Sequence, residues 1–92
     1  MLHIGICDCS GNNRNELQRL LTLTLFSVTD YSFHHFQNGL ELLQAYERPG
    51  FQLDLLFLEI ALPKINGLAA AAALRMRGVP VDIVFITELK QY

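Results

Sequence analysis

With 92 residues the chain is long enough for one small domain and too short for two. A hydrophobic fraction of 51% against 17% charged residues argues for a compact core and against a disordered tail, and unbroken apolar runs such as Leu55 to Leu58 fall far short of a membrane span. The formal charge of −2, with Arg14, Arg19, Arg48, Lys64, Arg75, Arg77 and Lys90 scattered along the chain, leaves no basic surplus, which argues against direct nucleic-acid binding by this segment.

Met1 leads straight into the apolar run Leu2 to Cys7, of strand length, with no basic start and no cleavage site, so no signal peptide is expected. Cys7 and Cys9 are then expected as thiols, in the cytoplasm. Ser10-Gly11-Asn12-Asn13 supplies turn chemistry and a helix N-cap. Leu17, Leu20, Leu21 and Leu25 follow at helical spacing, which predicts an amphipathic helix of roughly four turns. Tyr31 to Gln37 is aromatic-rich and bounded by Asp30 and Asn38-Gly39, as a strand would be. Leu40, Leu43 and Tyr46 mark a second helix, stopped by Pro49-Gly50. Leu53 to Ile60 is almost continuously apolar and reads as a strand buried on both sheet faces. Pro63 to Gly67 is a loop. Leu68 to Arg77 contains five consecutive alanines and ends in basic residues before Gly78, which favours a helix. Val81 to Thr87 is a fourth, β-branched strand.

The order β-α-β-α-β-α-β implies a parallel sheet with helices on both faces and right-handed crossovers. Ligands of such sheets bind outside the C-terminal ends of the strands. Asp8, Glu59 and Thr87 stand at three of those ends, and that convergence predicts the site.

The segments Ile4-Gly5-Ile6-Cys7-Asp8, Leu56-Phe57-Leu58-Glu59-Ile60 with Pro63 and Asn66-Gly67, and Ile83-Val84-Phe85-Ile86-Thr87 together resemble a response-regulator receiver domain. The phrasing is closest to receivers that precede LytTR-type DNA-binding domains. The resemblance spans residues 1–92 and implies a three-layer α/β/α flavodoxin-like fold with a parallel sheet in strand order 2-1-3-4. Family members have a fifth β/α unit. Here the fourth helix is only begun, at Glu88 to Tyr92, so an incomplete domain of four strands and three helices is expected.

The resemblance also assigns roles. Asp8 matches one of two acidic residues that help hold Mg²⁺, but its neighbour is Cys9, a poor partner for a hard cation. Glu59 stands where the family has its phosphoaccepting aspartate, and the carbonyl of Ala61 falls where a backbone oxygen serves the metal. Thr87 matches the switch hydroxyl, followed by Glu88 where a small residue is usual. The family's lysine has no match. Phosphoryl transfer to a carboxylate depends on position, a metal and a fixed cation. A glutamate one methylene too long, half the usual metal charge and no lysine therefore predict a degenerate site, a pocket of Asp8, Glu59 and Glu88 with weak or absent Mg²⁺ binding and no cofactor. Glu59 brings one negative charge where phosphate brings about two, so constitutive activation does not follow from it.

Plainer readings stand beside these. Glu59 is a solvated strand-end acid in one, and Asp8 a cap for the first helix in another. Cys7 and Cys9 read as a buried thiol and an incidental one rather than a metal pair or disulfide. His34 and His35, adjacent on a strand, point to opposite faces and cannot chelate one ion; His3 and one of them are candidate cross-strand neighbours, with packing the expected role. The function expected from the whole is not catalytic. It is that of an atypical receiver of a two-component system, regulating an output, transcription by the resemblance, through protein contacts: a sensor kinase, a downstream DNA-binding domain, or a second copy through the edge of the fourth strand. A competent phosphoacceptor and a mainly self-associating module are the alternatives.

Overall fold

The computed structural model describes residues 1–25, 27 and 30–87. Its elements run β1 (Leu2–Cys7), α1 (Gly11–Thr24), β2 (Tyr31–Phe36), α2 (Gly39–Ala45), β3 (Leu55–Glu59), α3 (Gly67–Met76) and β4 (Asp82–Ile86). The chain alternates as its apolar pattern predicts, with boundaries trimmed by a residue or two.

Each helix starts where a short polar side chain satisfies an orphan backbone N–H. Ser10 Oγ accepts from the Asn13 N–H at 3.2 Å, Asn38 Oδ1 from Glu41 at 2.9 Å, and Asn66 Oδ1 from Ala69 at 2.8 Å. Glu41 reaches back in turn, its Oε2 accepting from the Gln37 N–H at 2.8 Å. At the other end, Gly78 follows α3 with φ +73°, a left-handed turn that a residue with a Cβ adopts only under strain.

The four strands form one parallel sheet in the order β2-β1-β3-β4, the flavodoxin-like arrangement expected. The register sets Gly5 beside Leu56 and His34, and Cys7 beside Leu58 and Phe36. Those residues, with Ile83 beyond, form the face covered by α2 and α3. The core lies there, where Cys7, Leu42, Leu56, Leu58, Ala70 and Leu74 are all fully buried. The opposite face carries Ile4, Ile6, Leu55, Phe57, Val84 and Ile86, with α1 alone laid across it. Ile4 and Ile6 are buried beneath that helix, yet no residue of α1 itself is buried.

This corrects one expectation. The run Leu53 to Ile60 does not form a strand buried on both faces: β3 is Leu55–Glu59, and Leu55 and Phe57 are only half-buried. A helix with its side chains is about 10–12 Å across, whereas four strands at about 4.8 Å spacing present a wider surface. Two helices cover one face; α1 covers roughly half of the other. Val84 at 44% exposed lies in the remainder.

Candidate functional site

The C-terminal ends of β1, β3 and β4 open into one cleft of about 220 Å³, lined by Asp8 and Ile6 from β1 and its end, Glu59, Ile86 and Thr87 from β3 and β4, and Asn13, Glu16, Leu17 and Leu20 from α1. The three strand-end residues predicted to converge do converge. Glu88, expected to join them, and the start of a fourth helix at Glu88 to Tyr92 lie outside the described residues.

Asp8 is buried and held from several directions. Its N–H donates to the Phe36 carbonyl at 3.0 Å, its Oδ1 accepts from the Ser10 N–H at 2.9 Å, and its own carbonyl accepts from Arg14 Nη1 at 2.5 Å. The expected capping reading of Asp8 is therefore partly realised: it forms the turn into α1, while Ser10 is the cap itself. Glu59 is also buried, with Oε1 accepting from the Ala61 N–H at 3.2 Å. It is not a solvated strand-end acid. The longer glutamate curls back onto the backbone two residues on, as its extra methylene permits.

The segment beyond Glu59 is fixed by close packing. A Cβ placed on Gly67 would stand 2.1 Å from the Glu59 carbonyl oxygen and 2.9 Å from Ile60 Cα, so only glycine lets α3 begin against the strand end. The Gly67 N–H then donates to the Ile60 carbonyl at 2.9 Å. Between them the loop turns at Lys64 with φ +67°, closed by the Ile65 N–H on the Pro63 carbonyl at 2.8 Å. Such a left-handed, non-glycine residue costs of order 1–3 kcal/mol and persists where its surroundings over-determine it.

Two groups at this site escaped the sequence reading. Arg14 brings a guanidinium to the Asp8 backbone, and its Nε is buried with no hydrogen-bond partner. Glu16 lines the cleft as a further carboxylate, and its hydrogen bond to Arg19 holds it below the usual glutamate range. The available signal was spacing: Asn13, Glu16, Leu17 and Leu20 fall at i, i+3, i+4 and i+7 of a helix that starts at the site.

The thiols behave as expected. Both cysteines are free, Cys7 buried and Cys9 exposed. The Cys7 Sγ–H donates to the Asn38 carbonyl at 3.4 Å, and burial, reinforced by the neighbouring Asp8 carboxylate, pushes its pKa up to about 12. For a hard divalent cation the donor set is thin: one oxygen of Asp8 and one of Glu59 are already engaged, and position 9 offers sulfur. Among the described residues no group of three or more His, Cys, Asp and Glu side chains is placed to hold a metal ion. No described helix is long and apolar enough to cross a membrane.

The sequence profile described as response regulator receiver domain matches residues 6–92. An uncharacterized response regulatory protein of Yersinia pestis is 42% identical over 55 residues, a stretch that is 60% of this chain and 22% of that protein. Among solved structures, the Thermotoga maritima response regulator TrrA in complex with Mg²⁺ and BeF is 27% identical with a TM-score of 0.80, over 98% of this chain and 72% of that one. TrrA in its complex with the histidine kinase ThkA is similar over 100% of this chain and 73% of that one, at 27% identity and a TM-score of 0.77. The MaeR response regulator bound to beryllium trifluoride shares the fold, with a TM-score of 0.77 at 19% identity over 99% of this chain and 70% of that one.

Proposed function

The chain belongs to the response regulator receiver domain family, and on that premise we propose that it is an atypical receiver that acts through protein contacts, independently of phosphorylation. The observation that carries this reading is the state of Glu59. A buried glutamate at the phosphoacceptor position bonds its own backbone at Ala61, and its carboxylate is one methylene farther out than an aspartate would hold it. In-line transfer needs the accepting oxygen fixed in place, a metal, and a cation for developing charge. Asp8 beside a thiol at Cys9 supports weak Mg²⁺ binding at best, no resident cofactor and no enzymatic turnover. Arg14 Nη1 is engaged by the Asp8 carbonyl.

Partners follow from the family. TrrA binds a histidine kinase, which supports a sensor kinase as one contact of this chain. The LytTR-like phrasing of its strands supports a DNA-binding output domain downstream, with transcription as the regulated process and the cytoplasm as its place. Treatment with acetyl phosphate or a kinase, followed by intact-mass measurement, tests the proposal. No 80-dalton adduct is expected, either in the natural chain or after Glu59→Asp, because Cys9 remains. Stoichiometric, base-labile labelling at Glu59 would establish the rival, a competent phosphoacceptor.

A second reading rests on β4. It is the outer strand of the described sheet, with Val84 and Phe85 44% and 43% exposed, and Asp82 the acidic residue along it. Such an edge is a template for another strand, which supports self-association of this 92-residue form. Light scattering at micromolar concentration distinguishes a dimer from the monomer that would defeat this reading.

A further inference from the structure

Away from the acidic cleft, β1 and β2 are joined by a closed triangle of polar atoms. His3 Nδ1 and His34 Nε2 are 3.1 Å apart, and Ser32 Oγ is 3.1 Å from each. The parallel register places them so: His3 pairs with Ser32, and His34 lies two residues farther along the same face of β2. Two protons satisfy all three atoms. One imidazole N–H donates to the hydroxyl oxygen, and the hydroxyl donates to the lone pair of the other imidazole. β2 is an outer strand with β1 as its one neighbour, so these side-chain bonds reinforce a ladder that is one-sided.

The triangle treats two added protons differently. The first can go to the far nitrogen of the imidazole that already donates, and every bond survives. The second has to land on the accepting nitrogen. It then sets two N–H groups against each other across 3.1 Å, puts a charge on each ring, and leaves Ser32 Oγ as the one acceptor between them. Two charged groups stand beside the triangle. Asp54 Oδ2 accepts from the His3 backbone N–H at 2.7 Å, and its carboxylate offsets the first charge. Arg48, from the segment after α2, lies over Phe51 at 4.9 Å, and the edge of that ring packs against His34 at 5.7 Å, so its guanidinium opposes the second. Burial, then His3, then Arg48 hold the His34 pKa below the ordinary imidazole value of 6.5. At the start of the strand, Asp30 pairs with the Met1 ammonium at 3.4 Å.

We propose that the His3–Ser32–His34 triangle is an acid-sensitive clasp: it holds β2 on β1 while the histidine pair carries at most one extra proton, and the second opens it. An unfolded β2 takes up protons freely as the pH falls below 6.5, whereas the clasped strand resists one of them, so acid shifts the balance towards release. Above that range both states are deprotonated and the balance is flat. Release reaches the cleft through the far end of the same strand, where the Phe36 carbonyl accepts the Asp8 N–H at 3.0 Å. His35, on the other face, is exposed and bonded to Gln18 Oε1, with Arg14 as its charged neighbour; it contributes in the same direction and less. The clasp is independent of whether Glu59 accepts phosphate.

Amide hydrogen exchange of the 92-residue chain at about pH 7 and about pH 5.5, corrected for intrinsic rates, tests this. The protected amides of β2 (Tyr31–Phe36) should lose about tenfold in protection at the lower pH, while those of β3 (Leu55–Glu59) lose less than about threefold. His3→Gln and His34→Gln should each remove most of that loss, because the opposed charges need both rings, and the double replacement should remove no more than either. His35→Gln should remove the smaller part. Histidine NMR on the unsubstituted chain keeps the test independent of whether a variant folds. The His3–His34 pair should titrate in two separated steps, with the Asp8 and Phe36 amide signals following the lower one, and Arg48→Gln should move that step to higher pH. The proposal is overturned by equal loss of protection in β2 and β3, by a loss in β2 below about threefold, by a loss that survives both His3→Gln and His34→Gln, or by Asp8 and Phe36 signals that ignore the lower step.

Discussion

Leu58 and Phe57 are neighbours in β3 with comparable hydrophobicity and opposite circumstances. Leu58 lies fully buried under α2 and α3, while Phe57, on the α1 side, is half-buried. Along β4 the same division appears between Ile83, packed against the core, and Val84, 44% exposed. Phe85 complicates it: it belongs to the packed face but stands on the edge strand, 43% exposed. An apolar side chain in a strand shows which residues seek cover. How much cover arrives depends on the width of the helical layer above, and one helix does not span four strands.

Replacing Leu58 with alanine should therefore have the largest effect, a loss of about 2–5 kcal/mol in chemical denaturation, because the hole opens in a core closed on all sides. Phe57→Ala removes a larger side chain yet should cost clearly less than Leu58→Ala. Equal losses would mean that both faces are equally covered in solution. Gly67→Ala tests the packed side at its end, where the added methyl meets the Glu59 carbonyl; an overpacking cost of about 1–3 kcal/mol is expected, read as a drop in melting temperature.

Cys7 probes the same packed layer through pH. Its folded pKa of about 12 lies above the ordinary thiol value of 9.0, so between those values the unfolded thiol ionises while the folded one keeps its proton. The unfolded state then binds fewer protons, and stability falls with rising pH, by up to about 1.4 kcal/mol per unit. Below pH 9 the contribution is flat. Cys7→Ala should flatten the alkaline limb, and iodoacetamide near pH 8 should modify Cys9 alone in the folded chain. On the open face the smallest effect is expected: Val84→Ala should change stability by less than about 1 kcal/mol, and a larger loss would reveal that something covers β4.

The fold was legible because its signals are local. Ser10, Asn38 and Asn66 stop one element and start the next through a single side-chain bond, and apolar runs separate strand from helix by length. The convergence of Asp8, Glu59 and Thr87 was legible too, since parallel strands deliver their ends to one pole. Three features were not. The turning of Glu59 onto the Ala61 N–H depends on loop conformation; Arg14 and Glu16 reach the site through the rotation of α1. The meeting of His3 with His34 and Ser32 depends on strand register, which the pattern of two adjacent histidines leaves open. Half-burial of Leu55 and Phe57 was illegible for the reason already drawn: it belongs to the layer above them.

The all-parallel pairing also governs how quickly the molecule can assemble. β1 sits between β2 and β3, and its Ile4 pairs with Phe33 on one side and Leu55 on the other. Among the described strands no two neighbours are joined by a hairpin, so each of these ladders closes a loop of more than twenty residues before its first hydrogen bond forms, and that closure entropy precedes any reward. Helix formation takes about a microsecond or less, so capped helices flicker into being long before the sheet does. Refolding should be limited by the capture of β1 by β3 beneath α2 and α3, and Leu58→Ala should slow that step rather than merely hasten unfolding.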